Sequence, residues 1–176
     1  MAWPTTLYRA RGVSPPPAFC ASALVVTIMF SACSKRTDWP GVPYTQVRGY
    51  AYNLDGQHGT PLLDQGRLHP SVFDTNGVQL TPQQSERLLE AVARPHAKHP
   101  VMRCYFPRHG FVFYAASNQP VATVEICFEC STYRTSPPLS HFFDLTSLRE
   151  VAKDVGLPVF SRPEDYQALK AQRQKQ

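Results

Sequence analysis

The chain has 176 residues, with 18 Lys and Arg against 13 Asp and Glu, a formal net charge of +5, 17 prolines and five cysteines. That length suits one domain with its own hydrophobic core and would crowd two. The basic residues are scattered, with no run longer than Lys35-Arg36 and no basic stripe interleaved with aromatics, so no nucleic-acid partner is expected.

In chain order, Arg9 and Arg11 precede a mostly apolar run from Ala18 to Phe30, which stops at Ser31-Ala32-Cys33. The run has the length of an export-signal core and falls short of the roughly 20 apolar residues a membrane-spanning helix needs. Small residues before a cysteine resemble bacterial lipoprotein signal peptides, in which that cysteine receives a thioether-linked diacylglycerol and becomes the new N-terminus. The resemblance implies a signal peptide over 1–32, lipidation at Cys33, a lipidated tether over 33–45 and stable membrane attachment through more than one acyl chain. Ser34 stands where an Asp would hold such a protein at the inner membrane, which implies the outer membrane, facing the periplasm. The alternative is an ordinary secretory signal cleaved near Ala32, leaving Cys33 as a thiol.

Residues 46–176 read as a single α+β domain. Val47 to Tyr52 predicts a first strand. Asn53 to Pro70 reads as loop, with His58 and His69 at no recurring ligand spacing. Phe73 to Leu80 predicts a short hairpin about Asn76-Gly77. Thr81 is the expected N-cap of a helix with Pro82 at its first position, an apolar face at Leu88, Leu89, Val92 and Ala93, and a stop at Pro95. His96 and His99 are expected at the surface of the Pro-bounded loop that follows.

Phe111 to Tyr114 and Val121 to Phe128 predict an antiparallel hairpin. In its second strand Ala122, Val124, Ile126 and Phe128 form the expected buried face, opposite Val121, Thr123, Glu125 and Cys127. Ser131 to Ser140 reads as irregular. Asp144 or Thr146 is expected to cap a helix carrying Leu148, Val151, Ala152 and Val155, closed by Gly156. A last polar helix is expected from Pro163 to Gln174. The fold class is therefore a small antiparallel sheet with two or three helices packed on one face.

Cys104, His109, Cys127 and Cys130 are the candidates for chemistry. They lie in Cys104-Tyr105-Phe106-Pro107-Arg108-His109 and Cys127-Phe128-Glu129-Cys130. The paired motifs resemble a group of bacterial proteins, many exported, that share a Cys-x-x-Pro-Arg-His stretch entering one hairpin strand and Cys-Phe-x-Cys closing the next. The resemblance implies a grouping of these residues and no activity.

In a hairpin, the segment before the first strand and the one after the second lie at the same end, so all four side chains can converge there. Three thiolates and an imidazole are a permitted tetrahedral zinc set, provided the chain turns at Phe128-Glu129. In an oxidising periplasm the same cysteines can instead form one disulfide, from Cys104 to Cys127 or Cys130, or within Cys127–Cys130, and leave one thiol. Thiol chemistry is the third reading. Arg108 is expected to pair with Glu125 or Glu129, and no nucleophile elbow, phosphate loop or dinucleotide fingerprint occurs. The expected function is a membrane-anchored envelope lipoprotein that binds an envelope protein partner or a metal through this end of the hairpin without catalysis. A zinc-dependent or thiol-redox enzyme is the alternative.

Overall fold

The hairpin read from β-branched and aromatic residues is the centre of the sheet. In the computed structural model, which describes residues 37–175, it comprises β5 (His109–Tyr114) and β6 (Pro120–Cys127). The expected export signal and Cys33 lie outside the described residues. Five strands are ordered β4-β1-β5-β6-β7, every neighbouring pair antiparallel, with β1 at Gln46–Ala51, β4 at Val78–Gln79 and β7 at Thr132–Ser136. A separate ribbon pairs β2 (Leu63–Asp64) with β3 (Arg67–Leu68). The helices are α1 (Pro82–Ala93), α2 (Leu145–Asp154) and α3 (Pro163–Arg173).

The amphipathic spacing of α1 and α2 sends their apolar sides onto one face of the sheet. Leu88, Leu89 and Val92 from α1 and Leu148, Val151 and Ala152 from α2 share one buried cluster with Val47, Phe111, Phe113, Ala122, Val124 and Ile126. Both helix starts are those expected. Thr81 and Gln84 form a reciprocal capping box, and the Asp144 carboxylate accepts from the Thr146 and Ser147 N–H groups. Tyr166 is the one residue buried among those of α3. Residues 37–45, read as tether, pack on the domain: Trp39 lies in the same core, its indole N–H donating to Pro137 O at 2.8 Å, and Thr37 N–H donates to Ala93 O at 2.9 Å.

Three segments differ from the sequence reading. Ser131 to Ser140 contains β7, which pairs with β6 from Thr123↔Ser136 to Cys127↔Thr132. The Asn53–Pro70 loop contains the β2–β3 ribbon, whose two-residue turn Gln65-Gly66 has positive φ at both positions. Phe73 to Leu80 turns at Asn76-Gly77 but is no hairpin. Its incoming arm bonds to the end of β1 through Phe73 N–H to Ala51 O, and its outgoing arm, β4, pairs with Arg48 and Gly49, so β1 takes both arms. Glycine is required at position 77, where φ is +62° and a Cβ would fall 2.5 Å from the Tyr50 ring.

The second face of the sheet is also covered. Tyr50, Tyr52 and Val112 pack there against Leu62 and Val72 from the long loop, and Thr123, Glu125 and Cys127 are buried beneath it. Expecting burial only on the Ala122–Phe128 face was thus half of the picture.

Candidate functional site

The sheet sets the geometry of the cysteine end. β6 ends at Cys127, and the chain turns through Phe128-Glu129 so that Cys130 N–H donates to Cys127 Sγ at 3.3 Å. Cys130 is disulfide-bonded to Cys104, with a Cα–Cα separation of 5.6 Å. The segment carrying Cys104 is held to the hairpin by further bonds. Met102 N–H donates to Cys130 O at 3.0 Å, Thr132 Oγ1–H to Cys104 O at 3.3 Å, and Phe106 N–H to Cys127 Sγ at 3.4 Å. Cys127 and Cys130 form a buried cluster with Tyr105, and the half-buried Cys104 packs against it.

His109 is elsewhere. It pairs with Ile126 across β5 and β6, and directly opposed residues share a face, so the imidazole points away from Cys127. It lies against the Phe128 ring at 5.0 Å and the Tyr166 ring at 5.9 Å, and its Nε2–H donates to Pro158 O at 2.8 Å. Three of the four expected residues therefore meet, and the fourth is on the other side of the sheet. Zinc held by all four would require the Cys104–Cys130 bridge open and the imidazole on the opposite face.

Arg108 joins the cysteine turn to the loop after β1. Its Nε–H donates to Glu129 Oε1 at 2.9 Å, and NH1 donates to Asn53 O at 3.1 Å and Leu54 O at 2.7 Å. The guanidinium also lies 4.6 Å from the centroid of the Tyr166 ring. Gly56 has φ +67°, and a Cβ there would sit 2.6 Å from Arg108 NH2, so this close approach needs glycine.

Two residues important to this end were missed as such. Asn53 accepts from Gln57 N–H and donates to Pro107 O, tying the loop to the Pro-Arg-His stretch. Glu125, offered as a partner for Arg108, instead accepts from Leu62 N–H and Tyr105 O–H, each at 2.9 Å. The Asn53-Leu54-Asp55-Gly56 run signalled a turn, but its packing partner is 54 residues away in sequence. Burial is the largest influence on the Cys127 thiol and raises its pKa despite two N–H groups aimed at the sulfur. Tyr105 is held above its ordinary range by burial and then by Glu125.

The buried imidazole gives the domain a measurable acid response. Burial, with Arg149 and Arg108 nearby, pushes the His109 pKa down to about 4, against a single favourable bond to Pro158 O, and Nδ1 has no hydrogen-bond partner. The unfolded chain therefore binds this proton first. Stability is fully present above about pH 6.5, declines as pH falls through the window to about 4, and loses about 3 kcal/mol from this group when the fall is complete. Urea unfolding across that window is expected to show a steeper loss in the wild type than in His109→Gln, which carries no titrating proton; equal slopes would remove His109 as the source.

The fold and this end of the hairpin define a class: a small α+β domain with both sheet faces buried and a disulfide closing the open end of its central hairpin. Comparison with protein-family models, with curated proteins and with solved structures found no match for the chain.

Proposed function

We propose that this chain is a membrane-anchored lipoprotein of the bacterial envelope whose disulfide-clamped domain is a non-enzymatic binding module for an envelope protein. The observation that carries the binding reading is the segment beside the bridge. Val101 and Met102 are 55% and 59% exposed, above the other exposed large apolar side chains among the described residues, Val42 at 43% and Val78 at 37%. The Met102 N–H bond to Cys130 O and the nearby bridge at Cys104 hold that segment in place. Apolar side chains presented on a fixed backbone lose little conformational freedom on association, and methionine adapts to an irregular partner surface. The bridge itself suits an oxidising compartment, in keeping with the export signal.

The test places a photo-crosslinking residue at Met102 and, separately, at Val42, in cells carrying either the wild-type chain or Cys33→Ala. The expected result is one discrete adduct from position 102, lost on adding Val101→Asp, and none from 42. The wild type should sediment with membranes and Cys33→Ala should not. Indistinguishable adduct patterns from the two positions would overturn the binding reading, and unchanged sedimentation would overturn the anchor. Zinc belongs to the reduced chain, and stoichiometric metal retained by it through gel filtration would replace the protein partner with a metal one.

A further inference from the structure

Cys127 is the thiol that the bridge leaves over, and its surroundings are more specific than packing requires. Its S–H faces Glu129 Oε2 at 3.7 Å, and the other oxygen of that carboxylate is fixed by Arg108 Nε–H at 2.9 Å. Two backbone N–H groups, from Phe106 and Cys130, point at the sulfur. The bridge of Cys104 and Cys130 belongs to the same cluster. The Cys127 sulfur thus has a proton acceptor, a group that orients that acceptor and two N–H donors that favour its thiolate, in one cluster with a disulfide.

We propose that these residues form an internal thiol–disulfide exchange site, in which Cys127 is the nucleophile, Glu129 takes its proton, and the bridge moves from Cys104–Cys130 to Cys127–Cys130. The S–H proton passes to the Glu129 carboxylate as the Cys127 sulfur attacks Cys130 Sγ. The Cys127–Cys130 bond forms, the Cys104–Cys130 bond breaks, and the departing Cys104 thiolate takes up a proton from Glu129 or water. Among these three cysteines one disulfide and one thiol are present before and after, so the step needs neither oxidant nor reductant.

The direction follows from exposure. Cys104 is half-buried whereas Cys130 is 1% exposed, so the residue that leaves is the more exposed partner of the bridge. The tight turn of Cys127-Phe128-Glu129-Cys130 already holds the two new partners close, as the Cys130 N–H bond to Cys127 Sγ shows. The raised pKa of Cys127 keeps the resting thiol protonated and assigns Glu129 its purpose. Exchange would release the segment bearing Val101 and Met102 from its covalent clamp and put a reactive thiol at its end. The chemistry stands whether or not that segment binds a partner.

The experiment incubates the oxidised chain, purified without reductant, with iodoacetamide under native conditions and maps cysteines by non-reducing peptide mass spectrometry. The expected result is label on Cys104 together with a Cys127–Cys130 bridge. In Cys127→Ser no label should reach Cys104, because the bridge has lost the thiol that lies beside it. In Glu129→Gln, labelling of Cys104 should slow by about tenfold or more, with urea unfolding measured alongside to separate a loss of proton transfer from a loosened fold. Label on Cys127 with the Cys104–Cys130 bridge intact, or no label on Cys104 after prolonged incubation, would overturn the proposal, and either pattern is read from the wild type alone.

Discussion

Arg108→Met is expected to destabilise the domain by about 3–5 kcal/mol, read as a lower urea midpoint at an unchanged slope. The guanidinium is almost fully buried, with side-chain exposure of 6% against 25% for Glu129, so the pair is far from the exposed kind whose removal costs little. Methionine fills much of the same volume but leaves Glu129 without its cation and the Leu54 carbonyl without its side-chain donor, while Asn53 O keeps only the Gly56 N–H. Arg108→Lys should recover only part of the loss, because one ammonium cannot reproduce the guanidinium fork across three separated acceptors. Adding Glu129→Leu to Arg108→Met should cost less than the two single losses summed, since the stranded charge is then gone. A loss below about 1 kcal/mol for Arg108→Met would mean the pair behaves as a surface contact.

The second large effect is that of the bridge. Cys104→Ala with Cys130→Ala is expected to lower stability by about 3.5 kcal/mol, the loop-closure entropy of cross-linking residues 26 apart. Cys127 remains as the single thiol of the motif. The same variant should become a protease substrate between Lys98 and Arg108, where the chain is otherwise held by Met102 N–H to Cys130 O and a few neighbouring bonds. Unfolding at the wild-type urea midpoint would show that the bridge adds nothing the sheet does not already supply.

What could be read from the residues was whatever repeats at the period of its own element. The β5–β6 hairpin, the two amphipathic helices and the caps at Thr81 and Asp144 were legible on those grounds. β7 was not, because Thr132–Ser136 has no apolar alternation; it lies at an edge, half-exposed, and backbone pairing to β6 defines it. Glu125 looked like a solvent-facing position because nothing near it in sequence could satisfy a buried carboxylate. Its donors come from Leu62 and Tyr105, brought over it by the loop and the cysteine segment. The cysteine end was half legible. Convergence of Cys104, Cys127 and Cys130 followed from hairpin topology, whereas the placement of His109 depended on which strand residue opposes which. A one-residue change in that register would have turned the imidazole toward the thiols.

The two outer strands of the sheet carry a consequence for how crowded copies of this chain behave. Unpaired strand edges are templates on which another chain can add by main-chain bonding, and proteins resist this by keeping edges short, charged or broken by proline. β4 offers only two residues, too few to seed a ladder, and β7 carries Arg134 and runs directly into Pro137-Pro138, which lack the N–H groups an added strand would need. Growth by strand addition is blocked at both edges of the sheet, which keeps copies of the domain separate at high local concentration.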